Sequence, residues 1–333
     1  MEEREVSRQS LSIEKAEKLS RLENAINTEY ENINGIVAAT DDGIAYEQYF
    51  QGYGPDHAHH IASVTKSILS ALIGIAMDEG HIHDVDQKVL NFFPDYEIDD
   101  ANTVINEVTL RHLLTMTAPY PFAHWHEPLD QMCMQPDWIK HTLGLLGKGG
   151  SLGDFKYSTA GAHLLSTVIT RVTGRSARQY ANEQLFRPIG MREIPDYEMS
   201  AFGFDDLFGS GVKGWVHDPA GHSTGGWGLT LTPRDMARFG LLYLNRGEWK
   251  GKLILSSRWI EQSIAMTANQ YGYLWWLREE EGLFSFSAIG DGGNMICCIP
   301  KHHLVVAIAS EFTPNPRDRW TLIRDFVIPA VLD

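Results

Sequence analysis

Ser63 and Lys66 are the residues of this chain whose types and spacing point most directly to chemistry. They form a Ser-x-x-Lys tetrad that precedes an apolar stretch with helical periodicity. A spacing of three residues places both side chains on one face of a helix, within reach of each other. The amino end of a helix favours negative charge, and a nearby ammonium group can help to move the serine proton. The pair therefore suggests a serine nucleophile assisted by lysine.

Two further segments contain groups that such a nucleophile needs. Tyr157 opens a Tyr-Ser-Thr turn just before a predicted helix, and Gly292 and Gly293 lie between Asp291 and Asn294 at the entry to a predicted strand. Many helices begin with serine and carry lysine three residues later, so the tetrad alone is weak evidence. Three segments in this order along one chain are more specific.

The chemistry assigns a task to each segment. A serine hydroxyl is a poor nucleophile at neutral pH and needs a base within hydrogen-bond reach. Lys66 could supply that base, or Tyr157 could do so with its proton shared with Lys66. A nearby ammonium group would lower the pKa of Tyr157 from its usual value of about 10, and partial desolvation would lower that of Lys66. Glycines at the strand entry would let a substrate approach the backbone closely.

The composition is that of an ordinary globular protein. The chain has 333 residues, of which 43% are hydrophobic and 21% charged, so it can bury a large core. Its net charge of −15 argues against nucleic acid and anionic lipid as partners. The charged amino terminus lacks the apolar segment of a signal peptide, and the apolar stretch 68–77 is too short to span a bilayer. We therefore expect a cytoplasmic protein whose partner is a small-molecule substrate.

The three cysteines do not form a disulfide framework. Cys297 and Cys298 are adjacent in an apolar setting, where a bridge between them would be strained. We expect buried thiols in a strand.

Hydrophobic periodicity and capping residues predict the elements that must position the candidate residues. In chain order they are a helix over 11–30, a hairpin of strands over 33–40 and 44–51, a helix from Ser63 to Gly80, helices over 109–116, 160–172, 177–185 and 232–244, strands over 284–289, 294–299 and 304–310, and a closing helix over 317–331.

Strands therefore lie at both ends of the chain, with a helical block between them. We predict an α/β (α+β) sandwich, in which an antiparallel sheet is formed by both chain ends and flanked by helices. Residues 1–60 and 225–333 would form the sheet domain, and residues 61–224 a mainly helical insertion domain. The active site would lie between the two.

The three ordered segments, together with the stretches 109–116 and 226–244, resemble the serine β-lactamase and penicillin-binding-protein superfamily, in its class C-like esterase, amidase and D-peptidase branch. The resemblance covers roughly residues 30–330. It implies that Ser63 is acylated, that Lys66 shuttles protons, and that Tyr157 returns a proton to the leaving group. It also implies that the backbone amides of Ser63 and Asn294 hold the oxyanion, and that no metal or organic cofactor is needed.

Two positions depart from the family pattern. Thr159 stands where the second motif usually ends in asparagine. The threonine hydroxyl has a shorter reach than the asparagine amide and one hydrogen-bond donor fewer. Asp291 stands where β-lactamases usually carry a lysine that helps to bind the substrate carboxylate. A carboxylate there would repel penicillins and favour a neutral or cationic acyl partner.

Other residues could line a substrate pocket or serve the fold. Gly292, Gly293 and Trp227 are candidate substrate-binding residues, as is the aromatic loop 119–125, although packing against the core would also explain Trp227 and this loop. The histidines at 57–60 and 124–126 lack the convergent spacing of a zinc site, so we predict no metal.

The function predicted from the sequence is a serine hydrolase that cleaves small esters or amides, including linear amide oligomers, through an acyl-enzyme on Ser63. One alternative is a class C-type β-lactamase or penicillin-binding D-peptidase. Another is a catalytically silent binding or regulatory relative, in which Ser63 only caps its helix.

Overall fold

A computed structural model describes residues 2–99, 101–123, 126–199 and 201–332. His124 and Trp125 of the aromatic loop lie outside the described residues. The strands are β1 (Ile33–Thr40), β2 (Gly43–Tyr49), β3 (His59–His60), β4 (Thr230–Leu231), β5 (Glu248–Trp249), β6 (Lys252–Leu253), β7 (Trp276–Glu280), β8 (Leu283–Gly290), β9 (Asn294–Ile299) and β10 (Leu304–Ser310).

Most of the helices fall between β2 and β7. The α-helices are α1 (Glu2–Glu29), α2 (Thr65–Asp78), α3 (Leu110–Leu114), α4 (Leu129–Cys133), α5 (Trp138–Leu145), α6 (Thr159–Thr173), α7 (Ala177–Ala181), α8 (Phe204–Phe208), α9 (Pro233–Leu244), α10 (Ser257–Ser263), α11 (Arg319–Leu322) and α12 (Ile328–Leu332).

Six strands form one antiparallel sheet in the order β2-β1-β10-β9-β8-β7. The first two strands come from the amino-terminal part of the chain and the other four from the carboxyl-terminal part, which confirms the predicted sheet. The short pairs β3-β4 and β5-β6 lie outside it. The division into two domains stays a prediction.

Both faces of the sheet are covered. Alternate residues of a strand face opposite sides of the sheet. β10 is buried at every position, so both sides are covered there. Val305 and Ala307 belong to the larger apolar cluster, which includes residues of α2, α6 and α9. Val306 and Ile308 belong to a second cluster, with residues of α1 and of the closing helical segment, residues 319–332. The result is a three-layer arrangement of helices, sheet and helices.

Local sequence explains where the main helices begin. At the start of α9, the Thr232 hydroxyl accepts a hydrogen bond from the Asp235 amide at 3.1 Å, and proline occupies the first turn. At the start of α6, the Ser158 hydroxyl accepts from the Gly161 amide at 2.9 Å. Gly174 ends α6 with a φ of 70°, as a left-handed carboxyl cap. These boundaries match the predicted ones closely.

The predicted thiols are also found. Cys133, Cys297 and Cys298 are free and buried, the last two in β9. In the part of the chain that the structure describes, no helix is both long and apolar enough to cross a membrane.

Candidate active site

Ser63 lies in a short 3-10 turn, Ala62–Val64, directly before α2 rather than in the first turn of that helix. The Ile61 amide donates to the Leu229 carbonyl at 3.0 Å, which continues the pairing of β3 with β4 up to the residue before this turn. Ala62 takes a φ of 47°, a left-handed conformation that is costly for a residue with a side chain. The strained turn presents Ser63 at the edge of a cleft.

Lys66 is buried and contacts three oxygen atoms. Its Nζ lies 3.0 Å from Ser63 Oγ, 3.1 Å from Thr159 Oγ1 and 2.9 Å from the Gly226 carbonyl oxygen. The third contact depends on glycine, because a Cβ on residue 226 would lie 2.4 Å from Thr159 Cγ2. The structure therefore brings Lys66 to Ser63 as the spacing predicted, and adds Gly226, which sequence reasoning missed.

Burial lowers the pKa of Lys66 to about 8, while the carboxylates of Glu127 and Asp291 act in the opposite direction. Desolvation penalises the ammonium form, as expected for a buried lysine. A substantial fraction of Lys66 is therefore neutral near pH 8, and a neutral amine can accept the serine proton.

Tyr157 faces the same pair of residues. Its side chain hydrogen-bonds with Ser63, and the Lys66 Nζ lies 4.8 Å from the centre of its ring. Trp276 stacks on this ring at 5.7 Å and 22°, and Tyr271 meets it edge-on at 6.2 Å. The tyrosine is thus held in place by aromatic neighbours.

The expectation that the ammonium group lowers the pKa of Tyr157 is wrong. Burial raises the pKa of this phenol well above its usual value, and the hydrogen bond with Ser63 offsets only part of that rise. Tyr157 is therefore protonated at neutral pH. A protonated phenol can donate its proton to another group, but it cannot accept the proton of Ser63. Lys66 therefore fits the role of base better.

Glu127 is a second group that the sequence did not reveal. Its carboxylate accepts hydrogen bonds from the Thr159 amide at 2.5 Å, the Ala160 amide at 2.8 Å and the Ser158 hydroxyl at 3.2 Å. Burial raises the pKa of Glu127, and the two amides oppose that rise. The partners follow 31 to 33 residues later in the chain, so no local pattern marks the contact.

The end of β8 packs directly against the Ser63 turn. A Cβ on Gly290 would lie 2.4 Å from the Ile61 carbonyl oxygen and 3.0 Å from the Ser63 amide nitrogen, so this position has room only for glycine. The turn Asp291–Gly293 follows, in which Gly292 and Gly293 have φ values of 76° and 84°. Both glycines thus adopt backbone conformations that other residues rarely take.

Asn294 lies at the start of β9, directly opposite Gly290 of β8. Its side chain is buried and spans two strands, donating to the Asp291 carbonyl at 2.8 Å and accepting from the Ser310 amide at 3.0 Å. The side chain therefore fixes the turn. The role of its backbone amide as an oxyanion donor stays a prediction, and the approach of Gly290 to Ser63 points to the end of β8 as the closer backbone.

Trp227 requires a correction. It is only 3% exposed and stacks between Trp138, at 5.8 Å, and Phe208, at 5.4 Å. It belongs to an apolar cluster beside the cleft and does not line it. The structure thus supports the packing interpretation of Trp227 over a role in binding substrate.

The cleft in front of Ser63 has a volume of about 740 Å³. The predicted residues Ser63, Tyr157, Thr159, Asp291, Gly292 and Gly293 line it. Glu127 and Trp276 also line it, and a wall formed by residues 312–319 closes one side. The structure therefore places most of the predicted site around one cavity.

The upstream histidines have structural partners. His60 Nε2 accepts from the Gly228 amide at 3.0 Å, and burial lowers the pKa of His60 to about 4, so the ring is neutral. His59 Nδ1 lies 3.4 Å from Asn34 Nδ2. Within the described ranges, no group of three or more His, Cys, Asp or Glu side chains could hold a metal ion.

Comparison with known proteins relates this geometry to a family. The family model described as Beta-lactamase matches residues 19–327. A 6-aminohexanoate-dimer hydrolase from Paenarthrobacter ureafaciens is 24% identical over 302 residues, which cover 82% of this chain and 71% of that protein.

Solved structures share the fold. An octameric penicillin-binding protein homologue from Pyrococcus abyssi superimposes with a TM-score of 0.72 at 21% identity, over 93% of this chain and 77% of its own. A D-stereospecific amidohydrolase from Streptomyces gives a TM-score of 0.65 at 15% identity, over 92% of this chain and 98% of its own.

Proposed function

Because the chain belongs to the Beta-lactamase family, we propose that it is a serine hydrolase that cleaves small esters or amides through an acyl-enzyme on Ser63. The observation that carries the proposal is the 3.0 Å contact between Ser63 Oγ and the buried Lys66 Nζ. A buried lysine whose pKa lies near 8 is suited to act as a base at ordinary pH.

The proposed reaction begins when neutral Lys66 takes the Ser63 proton. Ser63 Oγ then forms a bond to the carbonyl carbon of the substrate, and backbone amides near Ser63 stabilise the oxyanion. As the intermediate collapses, Tyr157 donates its proton to the departing alcohol or amine and is reprotonated by Lys66. Water then attacks the carbonyl carbon of the acyl-enzyme and gives up one proton to neutral Lys66. As the bond to Ser63 Oγ breaks and the acid product leaves, Lys66 returns this proton to Ser63 Oγ.

The charges of the cleft support a substrate class. The carboxylates of Asp291 and Glu127 line the cavity near Ser63. Of the two arginines that also line the cavity, Arg317 is paired with Glu29, and the buried Arg319 donates to the Gly292 and Gly293 carbonyls. Two carboxylates would repel a substrate carboxylate and attract an amine. The 6-aminohexanoate unit in the name of one relative carries an amine at one end and a carboxyl group at the other, so its amino end matches this preference.

Three p-nitrophenyl esters of equal chain length would test the proposal, ending in a methyl, an amino or a carboxyl group. We expect kcat/KM to be highest for the amino ester and lowest for the carboxyl ester. Asp291→Lys should reverse that order, whereas the matched variant Asp130→Asn, which changes an exposed carboxylate on α4, should preserve it.

A preference for the carboxyl ester would contradict the proposed substrate class. Rapid turnover of benzylpenicillin would favour the β-lactamase or D-peptidase alternative. No turnover of any ester, amide or penicillin would favour the silent relative.

A further inference from the structure

Arg319 lies buried beneath the glycine turn that follows β8. Only 2% of its surface is exposed. Its Nε lies 3.3 Å from the Gly293 carbonyl oxygen, and its Nη2 lies 3.2 Å from that of Gly292. Nη2 also lies 3.3 Å from Ser310 Oγ and 2.6 Å from Asn32 Oδ1. One guanidinium thus joins the turn to the end of β10 and to the residue before β1.

The other contacts of the turn complete the restraint. Asn32 Nδ2 donates to the Gly292 carbonyl at 2.7 Å and to the Glu311 carbonyl at 2.8 Å. Asn294 Nδ2 donates to the Asp291 carbonyl at 2.8 Å. Each carbonyl of the turn Asp291–Gly293 is therefore held by at least one side chain from outside the turn.

The fit between the turn and Arg319 is close. A Cβ on Gly293 would lie 2.6 Å from Arg319 Nε and 2.9 Å from its Cζ. A bulkier residue would push the turn away from the guanidinium. The absence of a side chain at this position therefore allows the contact.

The charge of Arg319 is not neutralised by an ion pair. Among the described residues, no carboxylate lies within 4.0 Å of its guanidinium, which instead lies over the Tyr30 ring at 5.3 Å. Burying a cation without a counter-ion is costly, so its neutral oxygen partners must supply the compensation. In a trans peptide the N–H points opposite to the C=O. The peptide groups after Gly292 and Gly293 therefore direct their positive ends away from Arg319.

We propose that Arg319 is a positioning residue for the reaction at Ser63. It holds the turn Asp291–Gly293 in place, and with it the end of β8, where a Cβ on Gly290 would lie 3.0 Å from the Ser63 amide nitrogen. Arg319 acts through this strand end and does not touch the reacting atoms. The inference rests on the proposed function.

The full-length protein with Arg319→Ala, Arg319→Lys and the control Arg324→Ala would test this role. Arg324 lies five residues later in the same closing helical segment, pairs with Asp325 and Glu280, and does not line the cleft. We expect both Arg319 variants to lower kcat by at least about 10-fold with little change in KM, since oxyanion stabilisation is worth more in the transition state than in the ground state. Guanidinium ion at millimolar concentration should partly restore Arg319→Ala and leave Arg324→Ala unchanged.

Hydrogen–deuterium exchange gives a readout that does not depend on turnover. Amides of the segment 289–294 should exchange at least about 10-fold faster in Arg319→Lys than in wild type, because local opening becomes easier. Arg324→Ala should leave them unchanged. The lysine variant retains the charge, so this measurement remains possible if Arg319→Ala does not fold.

Two results would overturn the role of Arg319. One is wild-type kcat together with wild-type exchange in Arg319→Lys. The other is an equal loss of kcat in Arg324→Ala. If the wild-type protein reacts with no acylating reagent, the proposed hydrolase function fails, and the exchange rates alone still decide whether Arg319 positions the turn.

Discussion

The contacts of Lys66 fix the direction of its hydrogen bonds in each protonation state. An ammonium group has three donors and no acceptor. In that state Lys66 donates to Ser63, Thr159 and Gly226 together. A neutral amine has two N–H groups and one lone pair, and the Gly226 carbonyl can only accept. Loss of the proton therefore allows the Ser63 hydroxyl to donate to Nζ, which is the arrangement that nucleophilic attack requires.

The acylation rate should follow the loss of that proton. Since the pKa of Lys66 is lowered to about 8, the rate should rise with pH and level off above a midpoint near that value. Lys66→Arg cannot lose its proton at these pH values, so it should lower the rate by about 10²-fold or more. Stopped-flow measurement of p-nitrophenol release from pH 6 to 10 would check both. A flat profile in the wild type would contradict the role of Lys66 as base.

Glu127 should influence the pH at which the acylation rate reaches its midpoint. Its carboxylate raises the pKa of Lys66, so Glu127→Gln should move the midpoint of the acylation profile to lower pH. The amide keeps one oxygen to accept from the first amides of α6. Asp130→Asn, which lies nearby on exposed surface, is the matched control. A midpoint that stays in place, or moves upward, would show that Glu127 does not act on Lys66.

At the scale of elements, the site is assembled from five places in the chain. The turn before α2 supplies Ser63, and Lys66 follows in the helix. The loop before α4 supplies Glu127, the start of α6 supplies Thr159, the loop before β4 supplies the Gly226 carbonyl, and the end of β8 supplies Gly290. These groups pack so closely that little room is left between them. A single added methyl group should therefore displace a neighbouring group and slow the reaction at Ser63.

Gly226→Ala should introduce such a methyl group beside Lys66. The added Cβ would lie 2.4 Å from Thr159 Cγ2 and 3.1 Å from Lys66 Nζ, so at least one partner must shift. We expect kcat to fall by about 10-fold or more, since misplacement of about 1 Å can cost roughly 10²-fold. Gly144→Ala in α5, where nothing lies within 4 Å, is the control. Equal kcat for the two variants would contradict the close packing around Lys66.

Elements defined by local rules could be predicted from the sequence. The helix starts at Thr232 and Ser158, and the hairpin of β1 and β2, depend on residues a few positions apart. β7 was missed because an edge strand with one sheet neighbour carries charged residues instead of an apolar alternation. β3 and β4 have two residues each, too few to show a period.

The same distinction holds within the site. Ser63 and Lys66 were predictable because their contact follows from helical spacing. Glu127 and Gly226 were not, because each meets its partners through tertiary packing across 31 residues or more. The direction of the Tyr157 pKa shift was missed for a related reason, since burial is a property of the folded chain.

For the molecule as a whole, the sheet is stabilised from both faces. The face away from Ser63 is covered by α1 and by the closing helical segment, with Leu22 fully buried among them. This layer also contains the Asn32 and Arg319 side chains that restrain the glycine turn. The outer layer therefore affects both the stability of the fold and the geometry of the site.

Leu22→Ala should measure the contribution of that layer to stability. Removal of a buried leucine side chain should lower the free energy of unfolding by about 2–5 kcal/mol. Ile13→Ala on the same helix, at a position that is 59% exposed, should change it by less than about 0.5 kcal/mol. Urea unfolding monitored by tryptophan fluorescence would compare them. Equal effects would indicate that α1 does not pack on the sheet in solution.

The identity of the nucleophile is tested most directly by intact mass after brief exposure to a fluorophosphonate, a p-nitrophenyl ester and a penicillin in parallel. We predict one fluorophosphonate adduct that maps to Ser63, a transient acyl adduct from the ester, and no adduct of either kind in Ser63→Ala. An adduct on another residue, or none from any of the three reagents, would contradict an acyl-enzyme on Ser63.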